Sequence, residues 1–197
     1  MAPLPYSDTG AEIAFYAVFG SFIVLEWLSR LRSRFNRPGP REEQLDLALV
    51  VVFITAGLVG GFALAVDVKG AAIRDARWPV FAAGLVLLTA GIAIRQWAIA
   101  VLGRYFTTDV RVRPGQVVVD RGPYRWVRHP SYTGLIVTFV GLGLALGNWA
   151  ALAVLAVVPT VGLVIRSRHE ERVLLDGLGE PYRRFAATRA RLIPGVW

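Results

Sequence analysis

No cysteine occurs anywhere in the 197 residues, which excludes disulfides, thiolate catalysis and cysteine-bound metals and leaves the redox compartment unread. Walker phosphate loops, zinc-ligand spacings and a Ser/His/Asp arrangement are missing too, so no metal site is expected. The lone Gly141-x-Gly143 lies inside an apolar run, without the strand, turn and helix that a dinucleotide fingerprint requires. Acidic residues are the minority charge, 14 against 22 Lys and Arg, for a net charge of +8. A basic excess can mark nucleic-acid binding, but here the bases form no soluble face. They cluster beside hydrophobic runs, as contact with anionic headgroups requires, so membrane lipids are the expected partner and nucleic acid is not. The first hydrophobic run also lacks a positively charged leader. Asp8 and Glu12 precede it, which argues against a cleaved signal peptide.

What is abundant is apolar sequence. The chain is 55% hydrophobic, above the ~45–50% apolar usage of soluble domains. The reading is an all-α integral membrane protein of about five transmembrane helices, forming one membrane-embedded domain over residues 1–197. The apolar spans run over about 13–28, 45–66, 79–102, 132–146 and 149–165. Glu26 and Trp27 sit near the end of the first span. Gly57 and Gly61 in the second form a small-xxx-small pair that either admits a close neighbouring helix, including one of a homo-oligomer, or is ordinary membrane-helix glycine. The third span carries Arg95 and Gln96, and such a charge faces a partner or watery cavity, or snorkels to the headgroups. The last two spans, joined at Gly147-Asn148, are short for full crossings and suit a tilted or partly penetrating hairpin. A polar helix is expected to begin at Arg166 and run to about Leu178, broken at Gly177 and Gly179. An amphipathic segment from Glu180 to Arg189 then lies along the membrane surface. The regions 29–44, 103–131 and 166–197 hold five, six and seven Lys/Arg, against three in 67–78. That asymmetry predicts an outside N-terminus, five crossings, and a cytoplasmic C-terminus with 103–131 and 166–197 on the same side.

Between two apolar spans, residues 119–134 read V-D-R-G-P-Y-R-W-V-R-H-P-S-Y-T-G and hold most of the polar, ring-bearing and turn-forming chemistry. Gly122-Pro123 marks a turn, and Pro130 restricts His129 to extended geometry. Tyr124, His129, Ser131 and Tyr132 therefore project from a shaped loop that opens onto a helix. A helix N-terminus offers backbone N–H groups suited to the carboxylate end of a small ligand. Ahead of this loop, Val117-Val118-Val119 could form a short extended piece. Further on, Glu170 lies one helical turn past Arg166 on the same face, whereas Glu171 is rotated by about 100°. Arg166 and Glu170 are either a working pair or an ordinary i,i+4 salt bridge. His169 reads as a solvated face residue.

Gly122-Pro123-Tyr124, then Arg128-His129-Pro130-Ser131-Tyr132-Thr133-Gly134, Arg166-x-x-x-Glu170-Glu171 and a closing Arg191-Leu192-Ile193-Pro194 resemble, in this order, the isoprenylcysteine carboxyl methyltransferase family and its phospholipid N-methyltransferase relatives. The resemblance covers roughly the C-terminal half, from Arg95 onward. It implies an integral-membrane enzyme using S-adenosyl-L-methionine, with catalytic Arg166 and Glu170. It places Gln116, Val119, Tyr124, His129, Pro130, Ser131, Tyr132, Glu170 and Glu171 around the donor. It also assigns Arg166, which orients the acceptor carboxyl, together with Arg95 and Trp97 to the lipophilic acceptor. One departure is Gln116, where family members commonly carry His. The acceptor stays open between an isoprenylcysteine carboxylate, a phospholipid amine and a smaller lipophilic thiol or acid. A membrane reductase using NADPH and a non-catalytic scaffold are the alternative readings.

Overall fold

The structure, a computed structural model, describes residues 2–34, 41–107 and 112–195. Six α-helices follow in chain order: α1 (Thr9–Arg34), α2 (Arg41–Asp67), α3 (Arg77–Leu102), α4 (Pro130–Ala145), α5 (Trp149–Leu178) and α6 (Glu180–Thr188). Among the described residues there is no strand, only isolated bridges, so Val117–Val119 lies in irregular chain. Four helices are long and apolar enough to cross a membrane, over Thr9–Leu31, Leu47–Asp67, Arg77–Tyr105 and Trp149–Leu178, and α4 is a shorter apolar helix. The expected all-α membrane architecture is therefore present, but of the two last spans expected to be short only α4 is, because α5 continues through Leu178 and is long enough to cross.

Two helix pairs form the frame. Along α3 and α4, Gly84 and Gly91 face Gly141 and Gly134 so closely that the two backbones touch. A methyl group at Gly141 would fall under 3.0 Å from the backbone of Leu88, and one at Gly134 would sit 2.7 Å from Arg95 N. Small residues allow such an approach, which replaces the hydrophobic drive that lipid cannot supply. In the second pair, α2 rests on α5 with Gly57 against Pro159 and Gly61 against Leu155. The Gly57/Gly61 face is thus filled from within the chain. Helix α1 packs on this frame through rings: Phe15 and Phe19 meet Phe62 of α2, and Phe22 meets Phe139 of α4 edge-on at 6.2 Å.

At the end of the bundle away from the site, Asn148 joins three helices. Its Oδ1 accepts from the N–H groups of Ala150 and Ala151, capping α5, while its Nδ2 donates to Val68 O at 2.9 Å beyond the end of α2. The α4–α5 turn is thereby locked.

The helix expected to start at Arg166 does not. Helix α5 runs unbroken from the apolar span through Arg166 and Gly177, and ends where Gly179 adopts φ 61° and donates its N–H to Leu175 O. A run of helix-compatible residues through the change from apolar to polar gives the backbone no reason to stop. Gly177 is kept small instead by Val112, which would lie 2.5 Å from a methyl there. Continuity gives Arg166, Glu170 and Glu171 a fixed phase relative to the membrane part of the same helix.

The glycine contact generates a test. Gly141→Ala should force α3 and α4 apart and cost about 1–3 kcal/mol, seen as a lower unfolding midpoint in detergent. Gly20→Ala, where a methyl meets nothing within 4 Å, should leave that midpoint nearly unchanged. Equal effects at the two positions would show that the close approach is unimportant.

Candidate active site

The site is assembled where the loop before α4, the far end of α5 and the C-terminal segment meet. Residues Gly122–Arg125 form one tight 3-10 turn, with Gly122 at φ 58°, and this turn carries Tyr124 inward to a buried position. Pro130 occupies the first turn of α4 and holds His129 outside the helical region at φ −123°, ψ 60°. The loop is then pinned by the chain's last residues. Arg128 N donates to Ala190 O at 2.8 Å, His129 N to Arg191 O at 3.1 Å, and Thr133 Oγ1 to Leu192 O at 2.7 Å.

One carboxylate joins these pieces electrostatically. Glu171, 6% exposed, accepts from both Nε and Nη2 of Arg191, the shortest at 2.8 Å. It pairs with Arg128 Nη1 at 3.0 Å and takes a hydrogen bond from His129 Nε2 at 3.1 Å. Accepting from a ring nitrogen fixes the proton on Nε2 and turns Nδ1 toward Glu170, 3.6 Å away. The His129 ring stacks on Tyr132 with centroids 5.4 Å apart and planes 7° from parallel.

A second line of contacts runs through Tyr132. Its hydroxyl donates to Glu170 Oε2 at 2.7 Å and accepts from Arg166 Nε at 2.9 Å. Arg166 and Glu170, one turn apart on α5, are therefore joined through a phenol from α4 rather than by a direct ion pair along the helix.

These groups border a cavity enclosing about 870 Å³, including its open mouth. Ser131, His129, Tyr132 and Glu170 make its polar end, and Leu102, Phe106, Leu174, Leu178 and Phe185 its apolar wall. Of the residues expected around a ligand, Gln116, Val119, Tyr124, His129, Ser131, Tyr132 and Glu170 all reach the cavity. Gln116 also accepts from Arg113 N at 2.8 Å, which closes the turn it sits in.

Other expected residues lie elsewhere. Pro130 and Glu171 are buried behind the wall, where they hold the loop. Arg166 borders a separate small crevice with Leu49, Val50 and Phe53. Arg95 is 7% exposed and turned inward, so it does not snorkel. Its guanidinium is taken up by Glu26 and Ser131 behind the cavity. Trp97 is 46% exposed and packs edge-on against Trp126 on the outer surface, with no part in the cavity wall.

Sequence reasoning missed Arg128, Tyr182 and Phe185 as lining residues. Tyr182 and Phe185 are spaced i,i+3 on α6 and are both buried, while Arg183 and Arg184 point outward and pair with Glu180. An apolar stripe on so polar a helix was the available signal, and it reads equally as membrane contact. Among the described residues, Tyr182 Oη and Arg128 Nε are buried without a hydrogen-bond partner. Burial pushes the phenols of Tyr124 and Tyr182 well above their usual range, with Glu170 adding to the shift, so both are neutral hydroxyls.

Comparison with known proteins gives a consistent set of relatives. The model of the isoprenylcysteine carboxyl methyltransferase (ICMT) family matches residues 83–176. An uncharacterized Bacillus subtilis protein, YpbQ, is 33% identical over 83 residues, covering 42% of this chain and 49% of its own. Protein-S-isoprenylcysteine O-methyltransferase A of Arabidopsis thaliana is 33% identical over 121 residues, covering 60% of this chain and 61% of its own. The chain thus spans about half to three-fifths of these relatives. A solved structure described as the eukaryotic intramembrane Ras methyltransferase ICMT superposes with a TM-score of 0.64 over 93% of this chain and 68% of that one. At 21% identity, that likeness concerns the fold.

The Glu171 hub generates a second test. Glu171→Gln should cost on the order of 3 kcal/mol, because it strands Arg128 and Arg191 in a largely buried place. It should also free the C-terminal segment, read as faster proteolysis after residue 180. A protein equally stable and equally resistant would remove Glu171 as the clamp.

Proposed function

We propose, from the match of residues 83–176 to the isoprenylcysteine carboxyl methyltransferase family model, that the chain is an S-adenosylmethionine-dependent methyltransferase acting on a lipophilic carboxylate, an isoprenylcysteine or a similar lipid-like acid. The whole chain works as one membrane-embedded domain in this reading, with the N-terminus outside and the site on the cytoplasmic side, where a soluble methyl donor is available. The observation that carries it is the line Arg166–Tyr132–Glu170. It joins the cavity bordered by Tyr132 and Glu170 to a guanidinium lying in an apolar crevice between α2 and α5.

The residues present fit such a donor. Ser131 suits its carboxylate, Glu170 its positive charges, and the Leu102, Phe106, Leu174 and Phe185 wall its purine. Two of the buried polar atoms without a partner among the described residues, Tyr182 Oη and Arg128 Nε, belong to side chains that line the cavity, where a ligand would satisfy them. When bound, S-adenosylmethionine supplies an electrophilic methyl group on a sulfonium. What is asked of the protein is position and charge rather than proton transfer. Glu170 is directed by the Tyr132 hydroxyl, and Arg166, held at Nε by the same hydroxyl, orients the acceptor carboxylate with a planar, permanently charged group. The apolar surroundings keep water from the reacting carboxylate.

A phospholipid amine is the competing acceptor, and Arg166 distinguishes the two. For a carboxylate, Arg166→Lys keeps the charge but loses the paired donors, so turnover should fall ~10²–10³-fold with donor affinity little changed. A carboxylate, ionised above about pH 5, should give a rate nearly flat from pH 6 to 8, whereas an amine should give one rising with pH as its free base appears. A steep rise, with Arg166→Lys nearly as active as the parent, would move the protein to the amine-methylating branch.

His129→Ala and Tyr132→Ala should each weaken labelled S-adenosylmethionine binding in detergent-purified protein. Binding of NADPH instead of that donor would favour a reductase.

A further inference from the structure

Arg95 sits in an apolar helix, where an unpaired charge is costly, and the structure shows how it is compensated. Its Nε and Nη2 meet the two oxygens of Glu26 on α1 at 2.7 Å each, a bidentate fork. Glu26 lies 69 residues earlier and outside the matched stretch 83–176. The remaining Nη1 donates to Ser131 Oγ at 2.7 Å and approaches Ser131 O at 3.4 Å. Ser131 is 9% exposed and borders the cavity.

A hydroxyl that accepts from a guanidinium has its oxygen committed and its proton left to donate elsewhere. No other protein hydrogen bond is made by Ser131 Oγ among the described residues, and the cavity is on its open side. Charge assistance on the oxygen also makes that O–H a stronger donor.

We propose that Glu26 is a positioning residue for the site: by fixing the Arg95 guanidinium it aims the Ser131 hydroxyl into the cavity as a donor for the carboxylate of the bound ligand. This rests on reading the cavity as the S-adenosylmethionine site. The close α3–α4 contact supports it, because Gly134 against the Arg95 backbone leaves the guanidinium little freedom to reach Ser131 differently. Helix α1 thereby acts on ligand binding without touching the ligand.

The test compares two ligands that differ only in the group Ser131 serves, S-adenosylmethionine and its decarboxylated analogue, by calorimetry on the purified full-length protein. Glu26→Gln and Ser131→Ala should each weaken the carboxylate-bearing ligand roughly tenfold or more. Both should leave the decarboxylated one within about twofold. In the Ser131→Ala background, Glu26→Gln should add little, because its effect passes through that hydroxyl. Equal weakening of both ligands, additive losses, or unchanged affinity for S-adenosylmethionine would overturn the proposal. Should Glu26→Gln not fold, the selectivity of Ser131→Ala alone decides. Failure of the parent protein to bind either ligand removes the methyltransferase reading and this inference together, whereas binding without selectivity removes only this one.

Discussion

A buried carboxylate needs positive charge and hydrogen-bond donors, and Glu171 takes them from two distant parts of the chain: the Arg128 guanidinium and a His129 ring N–H from the loop before α4, and the Arg191 guanidinium from the C-terminal segment. In a low-dielectric setting the desolvated charges leave little choice of geometry, since losing any partner exposes the others to the cost of burial. The cavity wall follows from that gathering. His129 is turned to present Nδ1 toward Glu170, and the tail that carries Arg191 lies alongside the loop, with Val127 bridged to Ala190.

The membrane part of the molecule serves the same end by different physics. Lipid offers no hydrophobic reward for bringing helices together, so α3 and α4 rely on glycines that let their backbones touch. That contact brings Arg95 level with Ser131, and the charge so introduced is neutralised by Glu26 from a third helix. Bundle and site are therefore one structure. The match to the family model directs attention to the stretch 83–176, yet Glu26 from before it and Tyr182 and Phe185 from after it also support or border the cavity.

Helix α5 links the two halves of the proposed chemistry. A single unbroken helix that begins in the apolar core and ends beyond Glu171 holds Arg166 at an apolar crevice and Glu170 at the cavity, one turn apart. Tyr132 from α4 connects them. A methyl donor with several polar groups and a lipid-like acceptor call for different surroundings, and this helix passes from one to the other.

By itself the sequence determined the class and the parts. Apolar runs of crossing length left no other economical fold, the absence of cysteine removed whole chemistries, and the ordered motif from Gly122 to Pro194 identified Tyr124, His129, Ser131, Tyr132 and Glu170 among the cavity-lining residues. Those features are local, so they are legible one stretch at a time. Only the tertiary structure decided which residues face the ligand and which hold the others in place. Glu171 resembles Glu170 on paper but lies about 100° around the helix, where it meets Arg191 rather than the cavity. Arg95 and Trp97 sit two residues apart, yet one turns into the protein toward Glu26 and the other outward against Trp126. The pairing of Glu26 with Arg95, and of Tyr132 with Arg166, spans tens of residues and depends on how closely helices approach. Spacing along a chain sets the phase of each helix, but the neighbour a given face meets is settled by packing.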